Sequence, residues 1–281
     1  MKRILSIATL FAVILTALCA CGKSSGSTIS VITREEGSGT RGAFVELLGI
    51  VDGDGNDNIV KTAEATNSTS VMMTTVAGNK NAIGYVSLGS LSSDVKVIKV
   101  DGAEPTVANI EAGTYKVARP FNLVYNDDKL SDVAADFVTF IMSSEGQAIV
   151  TKKGYISVKT SDSYKSSGLT GTVVLDGSTS VGPLMDAIAD EYKKLNPDVK
   201  VQIQQTGSSA GINSAIEGVC DIGMSSRELK SSESAKIKAH KMATDGIAVI
   251  VNNSNTVDGL TSEQIRSIFL GETTSWDGLA K

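Results

Sequence analysis

Three times in this chain a short apolar run gives way to a Ser/Thr/Gly turn, and the turn opens directly into a run of helical period. The turns are Gly37–Thr40, Gly177–Ser180 and Gly207–Ser209, and Ser225-Ser226 forms a further hydroxyl turn after an apolar run. Strand, turn and helix in succession call for parallel strands joined by crossover helices, so the repeated device commits the chain to an α/β fold. In such sheets ligands bind beyond the carboxyl ends of the strands. A helix N-terminus placed there offers unpaired N–H groups and the positive end of the helix dipole, which suits an anion. Each turn by itself is equally a capped helix, because Ser and Thr are ordinary N-caps. Several of them converging would envelop an anion with neutral donors.

The first turn, Thr33-Arg34-Glu35-Glu36-Gly37-Ser38-Gly39-Thr40-Arg41, carries the most chemistry. It lies between a strand-like run, Ile29–Ile32, and a helix-like run, Gly42–Leu48. Gly37 and Gly39 let the backbone come close to a ligand. Ser38 and Thr40 add hydroxyls, and Arg34 brings a planar fork matched to phosphate or carboxylate. Glu36 is placed to hold Arg34.

Composition narrows the ligand. A length of 281 residues, 41% hydrophobic, supports one large or two medium domains with real cores. The net charge of −5 offers no basic excess for a nucleic-acid backbone, and 5% aromatics disfavours stacking platforms. One small anion needs only local donors. A single histidine, His240, disfavours His-based catalysis and His metal sites, so no cofactor and no metal is expected. A phosphoryl-transfer enzyme finds little support. There is no Gly-x-x-x-x-Gly-Lys-Ser/Thr loop, no His pair and no cluster of metal carboxylates, and Ser38 has no evident base. The expectation is a binding protein, not an enzyme.

The start of the chain is a targeting segment. Lys2-Arg3 precedes an apolar run, Ile4–Leu18, too short and wrongly flanked for a membrane span, which marks residues 1–21 as a signal peptide. It ends in Leu18-Cys19-Ala20-Cys21-Gly22, which resembles the lipobox of bacterial lipoproteins, with Cys21 as the lipidated cysteine and Lys23–Ser27 as a polar tether. That implies an extracytoplasmic protein held at the cell membrane by a lipid anchor. Cys220 sits in an apolar strand pattern and reads as a small buried residue.

Further along, Asp52–Asn58 reads as a solvated loop, since it lacks the closing acidic residue of a calcium loop. Strands are expected at Ala82–Val86, Val95–Val100, Ala118–Tyr125, Thr172–Leu175, Val199–Gln205, Cys220–Met224 and Ile247–Val251. Leu130–Val150 reads as one long helix, and Ser68–Ala77 as a helix whose Val71, Met72 and Val76 fill a core. Residues 157–171 are rich in Ser, Thr and Gly and form the one clear linker. Thr261–Gln264 is a capping box for a last helix.

Taken together, Asp176-Gly-Ser-Thr-Ser-Val181, Gly207-Ser-Ser-Ala-Gly211, Asp221-Ile-Gly-Met-Ser-Ser-Arg227 and Arg34-Glu-Glu-Gly-Ser-Gly-Thr40 resemble the motifs of phosphate-binding lipoproteins, the substrate-binding components of phosphate ABC transporters. The resemblance spans nearly the whole chain beyond the tether. It implies a two-lobed, hinged, type II Venus-flytrap α/β fold that closes over inorganic phosphate as a monomer and hands it to the permease subunits. It also implies the site. Thr179, Ser180 and Val181 would donate from one turn, Ser208 from the next and Ser226 from the third loop. Arg34, Ser38, Gly39 and Thr40 would close from the other lobe. Lobe one is expected at 119–251, including the linker, and lobe two at 28–118 with 252–281. The hinge strands are expected near Arg119-Pro120-Phe121 and Val251-Asn252-Asn253.

Two features depart from the family's pattern. The motif order is rotated, with the Arg34–Thr40 motif first and residues 157–171 joining the usual end to the usual start, as in a circular permutation. Pairing of the halves between chains, or an assembly artefact, would also produce that order. Ser226 stands where the family has an aspartate that accepts a proton from phosphate. Asp245 and Glu36 are the acidic residues available in its place, while Asp221 reads as structural. The alternative ligand is accordingly another oxyanion such as sulfate, bound by a binder or sensor without a transporter role.

Overall fold

The computed structural model describes residues 28–279, so the signal segment and Cys21 lie outside the described residues. In chain order, lobe two receives β1 (Ser30–Arg34), α1 (Gly39–Leu47), β2 (Glu64–Thr66), α2 (Thr69–Gly78), β3 (Ala82–Ser87), β4 (Val95–Val97), β5 (Lys99–Val100) and α3 (Val107–Glu111). Strand β6 (Ala118–Tyr125) leads into lobe one, built from α4 (Asp132–Met142), α5 (Ser144–Lys152), β7 (Ile156–Ser157), β8 (Gly171–Gly177), α6 (Gly182–Leu195), β9 (Val199–Gln204), α7 (Ser208–Glu217), β10 (Ile222–Ser225) and α8 (Ser231–Ser234). Strand β11 (Lys238–Asn252) returns to lobe two, which β12 (Gly259–Leu260) and α9 (Ser262–Leu270) complete. Among the described residues no helix is long and apolar enough to cross a membrane.

The sheet order is β2-β1-β3-β11-β6-β10-β8-β9, with β4 and β7 also paired to β11. At each end the strands are parallel, β1 with β2 and β3 in lobe two, β8 with β9 and β10 in lobe one. The middle is antiparallel: β11 pairs β3 through Ile247–Val251 and β6 through Lys238–Gly246. The apolar cores divide along the same line. Phe121, Leu123, Phe137, Leu175, Leu184, Tyr192 and Met242 pack in lobe one; Phe44, Ile83, Tyr85, Val117, Ile247, Val251 and Phe269 pack in lobe two.

This corrects the expected seam. Ile247, Val249 and Val251 belong to the lobe-two core, so the division on β11 falls at Asp245–Gly246 instead of 251–252. β11 is a single strand of 15 residues with a register shift between Lys241 and Ala243, and its apolar run from Ile247 packs in the lobe-two core. The other crossing, on β6, stands opposite at Ala118–Arg119.

Other expectations are adjusted locally. The run 130–150 is two helices, because Ser143 ends α4 and its Oγ accepts from Gly146 N to cap α5. A Cβ on Gly146 would overlap Phe140 O, so the glycine permits the close corner. The run Val95–Val100 divides into β4, on β11, and β5, which pairs with β12 in a separate small sheet. The 157–171 segment is irregular after β7 yet pinned to lobe one. Buried Tyr164 donates from its hydroxyl to Asp136 Oδ2 at 2.6 Å and accepts from Asn196 Nδ2 at 2.9 Å. At the far ends, Ile29 N–H donates to Thr274 O at 2.9 Å and Thr28 bridges Ser275, so the first and last described segments lie side by side.

Gly177, at the end of β8, has φ +140, and a Cβ there would overlap Met224 O of β10. Gly218 also has positive φ, +74, but open space around it. Gly218→Ala should therefore cost about 1 kcal/mol, the backbone penalty alone, and Gly177→Ala distinctly more, about 3 kcal/mol or above. Urea unfolding of the two variants beside the parent measures the difference.

Candidate functional site

Each donor turn begins where a parallel strand ends. β1 runs out at Arg34, the chain reverses at Gly37 (φ +85), and Ser38 caps α1 by accepting from Arg41 N at 3.4 Å. β2 ends at Thr66, and Ser68 caps α2 by accepting from Val71 N at 3.2 Å, which sets Thr69 as the first helical residue. In lobe one, β8 leads through Ser178–Val181 into α6, and β9 leads through Gly207 (φ +107) into α7 at Ser208. β10 ends in Ser225, followed by Ser226 and Arg227. Parallel strands in each lobe send these turns to one edge, and the antiparallel centre makes the two edges face each other.

There the side chains meet. Arg34 is 2% exposed; its Nη2 donates to Thr179 Oγ1 at 3.1 Å across the lobes and its Nη1 to Thr69 Oγ1 at 3.4 Å. Thr40 Oγ1 and Ser180 Oγ are hydrogen-bonded at 2.8 Å. Thr69 Oγ1 is 3.2 Å from both Thr179 Oγ1 and Ser180 Oγ. Ser178 Oγ donates to Ser226 Oγ at 2.9 Å, and Ser208 Oγ accepts from Ser226 N at 3.1 Å. A Cβ on Gly39 would overlap Ser208 Oγ and stand 2.6 Å from Ser226 Oγ, so only a glycine lets α1 start this close to lobe one. Ser209 N–H donates to Gly37 O at 3.1 Å, a direct main-chain bond between the lobes.

All nine residues expected at the site lie at these turns. Arg34, Gly39, Thr40, Thr179, Ser180, Ser208 and Ser226 line one contiguous cluster. Ser38 is buried beside it and engaged as a cap, and the Val181 N–H is bonded to Ser178 O at 3.1 Å. Two further residues belong to the cluster. Thr69 follows the same strand–hydroxyl–helix device, although its helix reads in sequence mainly through the core residues Met72 and Val76. Ser178 precedes Thr179 and Ser180 in the same turn and bonds Ser226.

The charges are sorted differently from expectation. Glu35, not Glu36, holds Arg34, with Oε2 accepting from Nε at 2.8 Å and Oε1 from Nη2 at 2.7 Å. Glu36 is exposed; the residue adjacent in sequence has the shorter reach to the Nε edge of the fork. Asp245 is committed elsewhere, to Arg119 at 3.0 Å and to Ser87 Oγ at 2.9 Å, and burial pushes its carboxyl above its ordinary value. Neither acid stands in at Ser226. Asp221 is structural, accepting from Val174 N at 2.7 Å, and Asp176 ties Ser214 at 2.7 Å and Thr206 behind the second turn. Tyr85 accepts from Arg34 N at 3.2 Å and is paired with Thr33 Oγ1 at 2.8 Å; burial pushes its hydroxyl up to about 12, so it remains neutral there.

One arginine, seven hydroxyls and four helix starts make a compact donor set for a tetrahedral oxyanion. Among the described residues no histidine or carboxylate bonds any of these seven hydroxyls. His240 instead stacks on Tyr125, 4.1 Å between ring centroids.

The family model for a PBP superfamily domain matches residues 10–145 and 162–280. A phosphate-binding protein PstS 2 of Streptococcus agalactiae is 49% identical over 288 residues, covering 100% of this chain and 98% of that protein. The crystal structure of a phosphate-binding protein of a phosphate ABC transporter from Streptococcus pneumoniae superposes with a TM-score of 0.73 at 45% identity, covering 90% of this chain and all of that one. A phosphate-binding protein PstS of Pseudomonas aeruginosa is 33% identical over 140 residues, 47% of this chain. The chain therefore belongs to the PBP superfamily and, within it, to the family of phosphate-binding PstS proteins.

Proposed function

We propose that this chain captures inorganic phosphate between its two lobes and delivers it to an ABC transporter. The observation that carries the reading is the cluster itself: hydroxyl-bearing helix starts from both lobes gathered on the buried Arg34 guanidinium. Each hydroxyl there both donates and accepts, so bonds now made between lobes are exchanged for bonds to phosphate oxygens without leaving a buried group unpaired. Thr69, Thr179, Ser180, Val181, Ser208, Ser226, Arg34, Ser38, Gly39 and Thr40 are the ligand-binding set, with Arg34 supplying the charge-assisted bonds. The relatives named above are phosphate-binding proteins, which supports the same ligand. We further propose anchoring through a lipid on Cys21, an extracytoplasmic position, a monomeric state, and permease subunits as partners.

The motif order we read as a circular permutation closed within one chain. The adjacency of Thr28 and Ser275 supports it, since a join there would restore the usual order with little movement. So does the confinement of the Pseudomonas match to about half of the chain. The end-to-end match to the Streptococcus agalactiae protein indicates that this relative has the same order.

A second reading, capture of sulfate or a similar oxyanion, draws on one observation. Ser226 bonds the Ser178 and Ser208 hydroxyls and the Arg119 guanidinium, and among the described residues no carboxylate reaches it to accept a proton from hydrogen phosphate.

Titration calorimetry should show phosphate binding, and phosphate at about a hundred times its Kd should raise stability by about 2.7 kcal/mol; no heat and no thermal shift would refute the reading. Arg34→Ala should weaken binding by about 2 kcal/mol or more, roughly 30-fold. Gly39→Ala should weaken it with little change in melting temperature, because its Cβ obstructs lobe contact and not either core. In competition across pH, sulfate should displace phosphate at comparable concentrations if Ser226 relaxes selectivity; a large preference for phosphate excludes the sulfate reading. Cys21→Ala should move the protein from the membrane fraction to the soluble one.

A further inference from the structure

We propose that Arg119 and Asp245 are positioning residues for the anion site, acting through the main chain of Ser226; the inference rests on the phosphate-capture reading. The two residues stand directly opposite each other where β6 and β11 cross between the lobes. Their side chains are 1% and 0% exposed. Arg119 grips Asp245 Oδ2 with Nη2 at 3.0 Å and Nε at 3.2 Å, and its remaining nitrogen, Nη1, donates to Ser226 O at 3.2 Å. The other Asp245 oxygen accepts from Ser87 Oγ of β3 at 2.9 Å.

A continuous path of hydrogen bonds thus runs from lobe two, at Ser87, through Asp245 and Arg119 to Ser226, and on to Ser178 Oγ and Ser208 Oγ in the donor cluster. Apolar residues would join two crossing strands at least as firmly, since burying an ion pair this completely costs desolvation that its attraction does not readily return. What apolar residues lack is a directed N–H for the Ser226 carbonyl. That carbonyl fixes the turn on one side, while Asn122 Nδ2 fixes the next residue by donating to Arg227 O at 3.1 Å. Both anchors rise from β6, so the strand that crosses between lobes also sets the third donor loop.

A double-mutant cycle on phosphate affinity tests this. The proteins are the parent, Arg119→Met, Ser226→Ala and the double variant, each checked for fold by circular dichroism. Arg119→Met should weaken phosphate binding about 10- to 100-fold, the size of a lost bond from a charged donor. In the Ser226→Ala background the same change should cost only a few-fold, and Arg119→Lys should recover part of the loss in the parent. Additive losses, or an unchanged Kd in Arg119→Met, would overturn the proposal, because a residue that only braces the strands acts independently of Ser226. If Arg119→Met does not fold, Ser87→Ala replaces it. A non-additive loss with Ser226→Ala then supports the path, and an additive or absent one overturns it. A parent protein that binds no phosphate would instead dismiss the phosphate reading.

Discussion

Strand β11 is the member on which the rest of this molecule depends. Its first half completes the lobe-one sheet against β6 and β7, and its second half completes the lobe-two sheet against β3 and β4. Neither core closes without it, so the lobes cannot be placed independently. With β6 running antiparallel beside it, the parallel strands of each lobe end facing those of the other. The ligand cluster is the product of that opposition and not of any single loop.

The chemistry of the cluster is that of neutral donors around one guanidinium. Burying hydroxyls is costly unless each finds a partner. Here they find one another, across the lobes at Thr40–Ser180 and Thr69–Thr179 and within lobe one at Ser178–Ser226. Arg34 brings the full positive charge, held flat by Glu35, and the starts of α1, α2, α6 and α7 add partial positive charge from their dipoles. An arrangement built this way presents hydrogen-bond donors and one guanidinium to an oxyanion.

The donor turns were legible because their chemistry is local. A glycine at positive φ and a helix start are close in sequence at each of the three turns, although only Ser38 caps with its side chain, while α6 and α7 have Val181 and Gly207 at the cap position without such a bond. Residues whose role depends on a distant neighbour were harder to read. Thr69 resembles any helix-capping residue until Thr179 and Ser180, more than a hundred positions away, come within 3.2 Å. Glu35 and Glu36 are interchangeable on paper, and the direction of the Arg34 side chain chose between them. Asp245 looked available to the ligand because its partner, Arg119, is distant in sequence. The polar first half of β11 gives way to an apolar run at Asp245–Gly246, and that run packs in the lobe-two core.

By itself, then, the sequence determined the α/β class, the positions of the hydroxyl turns and the chemistry of the ligand, since strand–turn–helix geometry and helix-end polarity act over a few residues. Only the tertiary structure decided which turns face each other, which acid holds Arg34, that Thr69 and Ser178 contact the hydroxyl cluster, and that Arg119 ties the crossing strands to Ser226. Those outcomes are pairings between residues far apart in the chain. They are settled by the packing of two cores on one shared strand, and a linear pattern holds no record of them.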